Sequence, residues 1–206
     1  MEAHGGEFVR YADDFVVLAR TRAEAEEARR LLREVLTDLG LRLNESKTRV
    51  VHLDDGFDFL GFRYFRSQRG NVHKVVREKS QARFREAVRQ RTPRHAGQKP
   101  RKPRSCTAKK LLRDARLRRM IGELNAYLRG WHGYFRQVWW AGQRDFRELD
   151  GFLRRRLRSA MAGRLAIGRW PSRLLPNDLL EQLGLLSLYG LHAAYLDAQP
   201  GSAQSG

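Results

Sequence analysis

Two adjacent carboxylates are the residues of this sequence best suited to chemistry. Asp13 and Asp14 lie between two short β-prone runs, Phe8–Tyr11 and Phe15–Ala19, so we expect them at or beside the turn of a hairpin. Like charges this close repel each other, and a divalent cation would compensate them. Mg²⁺ prefers hard oxygen donors and takes only one or two protein carboxylates, as in two-metal nucleotidyl transfer. The alternative is a solvated Asp-Asp turn, because such dipeptides commonly form turns.

The second feature with chemical potential is a surplus of positive charge in the middle of the chain. The 206 residues carry a net charge of +18. Residues 63–119 hold 21 basic and three acidic residues, so this segment accounts for the whole excess. Within it, residues 91–104 contain three prolines and almost no apolar residue, which predicts an extended basic loop that divides the chain into two parts. Such a charge favours a polyphosphate partner over a merely solvated face.

Composition excludes several classes of protein. The single Cys106 rules out an internal disulfide framework and a multi-cysteine zinc module. No apolar run approaches the roughly 18 residues that a membrane span needs, and the sequence Met1–His4 does not resemble the start of a secretory signal. We therefore expect a protein of the reducing cytoplasm with no membrane partner. The histidines show no metal-ligand spacing with cysteine, and we assign them no chemistry.

The first part of the chain is predicted to combine strands with one helix. Thr21 and Glu24 form a capping-box pattern, apolar residues follow at spacings of three and four, and Gly40 suits a left-handed C-terminal cap. This pattern predicts an amphipathic helix over residues 22–39. Further strands are predicted at Leu41–Leu43, Thr48–Leu53 and Phe57–Phe65, with a turn at Asp54–Gly56.

The second part is predicted to be helical. Apolar residues recur at helical spacing over Ala108–Leu128 and again over Phe146–Leu157, which indicates amphipathic helices. The ring-bearing residues between them are expected to form the small core of a helical bundle, with base stacking by one or two exposed rings as the alternative. These residues are Trp131, Tyr134, Phe135, Trp139 and Trp140. A looser C-terminus is expected after Trp170, and the chain as a whole is assigned to the α+β class.

The order of these motifs resembles one family of polymerases. Tyr11-Ala-Asp-Asp14 between two β-prone runs resembles the catalytic hairpin of reverse transcriptases. The helix that follows, then residues 40–48 and Phe59-Leu-Gly-Phe62, resemble the rest of the palm in group II intron and related retroelement enzymes. Residues 124–135 are similar to the signature of the group II intron maturase-specific domain, a helical thumb-like region that grips intron RNA.

The resemblance implies roles for individual residues of the palm. Asp13 would be a direct metal ligand and Asp14 the second carboxylate of a two-metal Mg²⁺ site that is incomplete in this chain. Lys47 would be catalytic, by neutralising or protonating the pyrophosphate leaving group, with a surface lysine as the alternative. The primer would be bound by Tyr11, Leu60, Gly61 and Phe62. RNA would be bound by Arg94, Lys99, Arg101, Lys102, Arg104, Lys109 and Lys110.

The expected organisation is a partial palm at residues 1–78, a basic linker and helical maturase/thumb domain at 79–195, and a flexible tail at 196–206. The family polymerase needs a third aspartate on an earlier strand and fingers, so we expect a C-terminal portion that is inactive alone. Its expected partners are group II intron RNA, an RNA template with a DNA primer, and the missing N-terminal half. A non-catalytic RNA-binding maturase remnant and a fragment of a host-defence reverse transcriptase are the alternatives.

Overall fold

The computed structural model describes residues 7–93, 111–139, 142–165 and 175–199. The chain divides into two compact units, Met1–Lys74 and Val75–Gly206. Two small antiparallel sheets lie among the described residues, and helices make up most of the second unit. The predicted α+β class is therefore confirmed. None of the helices within the described ranges is long and apolar enough to cross a membrane.

The first sheet is the predicted hairpin. Strand β1 (Glu7–Tyr11) pairs antiparallel with β2 (Asp14–Leu18), and the register places Tyr11 opposite Asp14. The rings of Phe8 and Phe15 lie diagonally across the two strands with centroids 6.0 Å apart, a pairing within reach of aromatic side chains. Every residue of β1 is exposed, so this strand depends on its partner strand more than on burial.

Helix α1 (Arg22–Asp38) begins and ends where the sequence predicts, to within one residue. The Thr21 hydroxyl accepts a hydrogen bond from the Glu24 backbone N–H, and the Glu24 carboxylate accepts one from the Arg20 backbone N–H. Gly40 follows the helix with φ +71°, the left-handed conformation that glycine adopts without strain. The helix packs against β2 and buries Leu32.

The segment after α1 differs from the prediction, because residues 41–56 form turns and irregular structure and no strand. The strands predicted at 41–43 and 48–53 are therefore wrong. The Asn44 carbonyl oxygen accepts hydrogen bonds from the backbone N–H groups of Lys47 and Thr48. These local turns therefore use backbone groups that would otherwise pair with a neighbouring β-strand. Residues with a high strand propensity form a strand only where a neighbouring strand can pair with them. Propensity alone does not provide that neighbouring strand.

A second hairpin replaces the single strand predicted over residues 57–65. Strands β3 (Phe57–Phe59), β4 (Phe62–Arg66) and β5 (Val72–Val76) form a sheet in the order β3-β4-β5. Leu60 and Gly61 form a two-residue tip with φ of +48° and +81°, as a type I′ turn requires. The periodicity of an uninterrupted apolar run does not reveal where a tight turn divides it into two strands. Strand β5 is a further element that the sequence did not predict.

The second unit is a bundle of helices around an aliphatic and aromatic core. The helices are α2 (Glu78–Arg91), α3 (Ala115–Phe135), α4 (Gln143–Leu165), α5 (Asn177–Gln182) and α6 (Leu188–Asp197). Both α3 and α4 contact α2 and α6. Phe84 on α2, Leu124 on α3 and Phe146 on α4 are fully buried. Helix α6 reaches Asp197, beyond the predicted start of the tail at 196, whose residues 200–206 lie outside the described ranges.

The aromatic cluster of this unit is partly core and partly surface. The Trp131 ring centroid lies 4.4 Å from that of Phe135 and 4.9 Å from that of Phe84. Phe135 is buried, which confirms its core assignment, whereas Trp131 is half-buried. Tyr134 and Trp139 are exposed, and Trp140 lies outside the described residues. The cluster therefore stabilises the contact of α2, α3 and α4 and leaves two rings at the surface.

Candidate active site and nucleic-acid interface

The tip of the first hairpin gathers three of the predicted site residues. Asp13 lies in the turn, while Asp14 begins β2 directly opposite Tyr11 at the end of β1. All three residues are exposed. The Arg10 Nε donates a hydrogen bond of 2.8 Å to the Ala12 carbonyl oxygen and so braces the turn from β1. The hairpin thus presents two carboxylates and a phenol to solvent within four consecutive residues.

Backbone strain accompanies both hairpin tips. Ala12 has φ +51° and Leu60 has φ +48°, and in the described part of the chain these are the two non-glycine residues with positive φ. A side chain in the left-handed region costs about 1–2 kcal/mol, and such residues cluster at functional sites. The strain therefore coincides with the two turns to which the family resemblance assigns metal and primer binding. Residue types alone give little sign of it, since neither Ala nor Leu favours this conformation.

The carboxylates of the first tip fit part of a metal site. Among the residues that the structure describes, no group of three or more His, Cys, Asp and Glu side chains could hold a metal ion. Asp13 and Asp14 nevertheless supply two carboxylate groups, which are hard oxygen donors. Mg²⁺ commonly takes one or two protein carboxylates and completes its shell with phosphate and water, so this donor set fits a divalent cation that other groups also bind.

Lys47 lies on a different element from the carboxylates, in the turn that follows α1. Its backbone N–H donates to the Asn44 carbonyl oxygen at 3.0 Å. The neighbouring Glu45 carboxylate pairs with Arg29 and Arg33 of α1, and hydrogen bonds from these two guanidinium groups lower the pKa of Glu45. The turn is thus attached to the helix, while the Lys47 side chain is exposed.

The second tip holds three of the four predicted primer-binding residues. Leu60 and Gly61 form the turn, and Phe62 begins β4 as a buried residue. The Lys74 Nζ lies 4.4 Å from the Phe62 ring centroid, and burial lowers the pKa of this amine. Phe62 is therefore a packing residue that fixes the turn, whereas Leu60 and Gly61 form the part that a ligand could approach.

The predicted RNA-binding residues lie outside the described part of the chain; they are Arg94, Lys99, Arg101, Lys102, Arg104, Lys109 and Lys110. The structure instead shows a groove of about 440 Å³ between the end of α2 and the start of α3. Arg91, Arg116 and Arg119 line it. These arginines belong to the basic segment of residues 63–119. The sequence does not predict that they lie together, because only the packing of α2 beside α3 brings residues from both helices into one groove.

Two histidines with no predicted role form a buried pair. His132 on α3 is 8% exposed and His192 on α6 is 1% exposed, with ring centroids 5.9 Å apart. Within the described ranges, the His132 Nε2 and both ring nitrogens of His192 have no hydrogen-bond partner. Burial lowers the pKa of His132 to about 4, with His192 and Arg136 acting in the same direction, and burial also lowers that of His192.

We expect this pair to make the stability of the second unit sensitive to acid. A free imidazole titrates near pH 6.5, so between about pH 4 and 6.5 the unfolded chain binds more protons than the folded one. Stability is therefore complete above that window and lost as the pH falls through it, by about 2 kcal/mol after allowance for solvent screening. Urea unfolding at pH 7.5 and pH 5, followed by tryptophan fluorescence, measures the loss. His132→Phe should reduce the loss, the exposed His52→Gln control should not, and equal losses in both variants would contradict the assignment.

Comparison with known proteins agrees with the geometry of the hairpin and the helical unit. Residues 2–64 match the family model "Reverse transcriptase (RNA-dependent DNA polymerase)", and residues 101–170 match "Group II intron, maturase-specific domain". The chain is also similar to Protein YkfC of Escherichia coli (strain K12), with 48% identity over 63 residues. That alignment covers 30% of this chain and 16% of YkfC. The two family matches, in this order along one chain, support a resemblance to the C-terminal region of group II intron reverse transcriptases/maturases.

Proposed function

We propose that this chain is the part of a group II intron-encoded RNA-directed DNA polymerase/maturase that binds intron RNA to assist splicing and contributes aspartates to DNA synthesis. The observation that carries the proposal is the pair Asp13 and Asp14 at a strained hairpin tip, in a chain that also matches the maturase-specific domain.

In the proposed reaction, Asp13 and Asp14 would hold divalent cations, with Mg²⁺ the expected ion. When bound, the metal pair would stabilise charge on the attacking and leaving oxygens of the nucleotidyl transfer. Lys47 would neutralise or protonate the pyrophosphate leaving group. Tyr11 would lie near the primer end, and the turn at residues 60–62 would let the backbone approach the primer closely.

The active site would be completed by another polypeptide segment that carries fingers and a third metal-binding aspartate. Two features support this proposal. The hairpin of β1 and β2 is two-stranded in the described part of the chain, and all of β1 is exposed. Phe8, Val9 and Leu18 are also exposed on it, so a covering segment would bury apolar surface. An RNA template with a DNA primer would be the substrate of the completed site.

A non-catalytic RNA-binding maturase remnant is the second candidate function. The observation that favours it is the absence, among the described residues, of a third carboxylate near the hairpin tip that would complete a metal site. Both candidates require RNA binding. They differ in whether Asp13 matters once a complementary polymerase half is supplied.

RNA binding is expected to depend steeply on salt. If the chain contacts about six phosphates, its affinity for structured intron RNA should fall about a thousandfold between 50 and 200 mM salt. The reason is that each Lys or Arg side chain that contacts a phosphate releases a counterion from the RNA. Changing Arg101, Lys102 and Arg104 to Gln should weaken binding and reduce the slope of log affinity against log salt. Filter-binding titrations of the full chain measure both quantities.

The control for this experiment removes the same charge from α1, by changing Arg22, Arg30 and Arg33 to Gln. These arginines lie outside the basic segment and each forms an ion pair with a glutamate. The control should retain the salt slope of the unmodified chain. A slope near zero for the unmodified chain would contradict RNA binding, and equal losses in the two triple variants would contradict the role of residues 101–104.

A further inference from the structure

The groove between α2 and α3 combines guanidinium groups with an apolar floor. Its lining consists of Arg91, Pro93, Ala115, Arg116, Arg119, Met120 and Glu123. Met120 is 6% exposed, which places it at the bottom, while the Arg119 side chain is 83% exposed and lies at the edge. Three guanidinium groups and one carboxylate give the lining a net charge of +2. This combination suits a ligand with an anionic group and an apolar body.

Arg91 is held in place before any ligand arrives. Its guanidinium carbon lies 4.4 Å from the Tyr127 ring centroid, and its Nη1 donates to the Ala87 carbonyl oxygen at 2.9 Å. Stacking on Tyr127 restricts the side chain, so less conformational entropy is lost when a ligand binds. A guanidinium carries five N–H donors, and Ala87 uses one of them.

The end of α2 is equally well fixed. Thr92 is fully buried, and its hydroxyl donates to the Val88 carbonyl oxygen at 2.6 Å. Arg156 of α4 donates from Nη2 to the Thr92 carbonyl oxygen at 3.0 Å and from Nε to its hydroxyl oxygen at 3.2 Å. These bonds anchor the backbone between Arg91 and Pro93, so that the α2 side of the groove is a preformed wall.

We propose that this groove binds one unpaired nucleotide of RNA, with the phosphate on Arg116 and Arg119 and the ribose or base over Met120 and Pro93. The inference rests on the proposed function, and it adds the site and the form of RNA recognised. An A-form duplex keeps its bases stacked inside and offers mainly phosphates and hydroxyls, which would leave the apolar floor unused. An unpaired nucleotide can use both parts of the lining.

The chain offers a matched pair of arginines for the test. Arg119 pairs with Glu123 and Arg144 pairs with Glu148, each one helical turn apart with an N–O distance of 3.0 Å. Their side chains are 83% and 85% exposed. Arg119→Gln and Arg144→Gln therefore each remove one positive charge and one exposed ion pair, but only Arg119 lines the groove. Fluorescence anisotropy with a uridine-rich single strand and with a duplex of equal phosphate number measures affinity and salt slope.

Arg119→Gln and Arg116→Gln should each weaken single-strand binding about three- to tenfold and lower the salt slope by about one, because each removes one phosphate contact. Arg144→Gln should leave both values unchanged, and Glu123→Gln should strengthen binding. Equal losses in Arg119→Gln and Arg144→Gln, or losses confined to the duplex, would overturn the inference while leaving RNA binding intact. No binding of either RNA by the unmodified chain would overturn the proposed function and this site with it.

Discussion

Replacing Asp13 with Ala should abolish DNA synthesis by the completed polymerase while leaving RNA binding unchanged. The chain would be combined with the fingers and first palm strands of a related reverse transcriptase, and primer extension would be measured with Mg²⁺. Losing a ligand that stabilises transition-state charge is worth several kcal/mol, which corresponds to a fall in rate of about a thousandfold or more. Asp13 lies in an exposed turn, so the fold should tolerate the change.

Asp38→Ala is the matched control for this experiment. Asp38 is an exposed aspartate at the last position of α1, where a negative charge is unfavourable to the helix dipole. Its removal should leave both activity and stability intact. Extension by the unpartnered chain would contradict the need for a second segment. Equal extension with Ala at position 13 would contradict Asp13 as a metal ligand and favour the non-catalytic remnant.

Replacing Asp150 with Ala should destabilise the helical unit by about 3 kcal/mol, since it leaves buried donors unpaired. Asp150 on α4 is 2% exposed. Its carboxylate accepts hydrogen bonds from the Ser187 hydroxyl at 2.6 Å, the Leu188 N–H at 2.8 Å and the Tyr189 N–H at 3.1 Å. It thus caps α6 from another helix and joins the two. Asp150→Asn should cost less, because an amide oxygen can keep part of these bonds.

Tryptophan fluorescence suits this measurement, because all four tryptophans lie in the second unit and report its unfolding in urea. Asp178→Ala serves as the control, since Asp178 is an exposed acid in the first turn of α5. Exposed acids near a helix N-terminus contribute only about 0.3–1 kcal/mol. A loss below 1 kcal/mol in Asp150→Ala would show that the α4–α6 connection does not form in solution.

The elements that could be predicted are those specified by neighbouring residues. Helix α1 is an example, because Thr21, Glu24 and Gly40 mark its ends and its apolar residues recur at helical spacing. The first hairpin is another, since two β-prone runs flank a turn-forming pair of aspartates. The candidate metal ligands belong to this group, since the places of Asp13 in the turn and of Asp14 at the start of β2 follow from a span of a dozen residues.

The strands predicted at 41–43 and 48–53 show where local information is insufficient. Their residues favour extended structure, but a strand forms only where another strand offers hydrogen bonds. The chain instead closes a turn on Asn44 and attaches it to α1 through Glu45. The charge of the basic segment was evident from the residues, whereas the groove that holds three of its arginines was not.

Sequence alone therefore specified the polar residues that could act in chemistry, the caps of α1, the aromatic residues of the bundle and the family resemblance. The roles of buried polar groups depended on the fold. Asp150 meets the N-terminus of α6, and His132 meets His192, across separations of 38 and 60 residues. Such contacts depend on which helices pack together, and helix packing follows from the shapes of whole apolar faces. No short stretch of sequence contains that information.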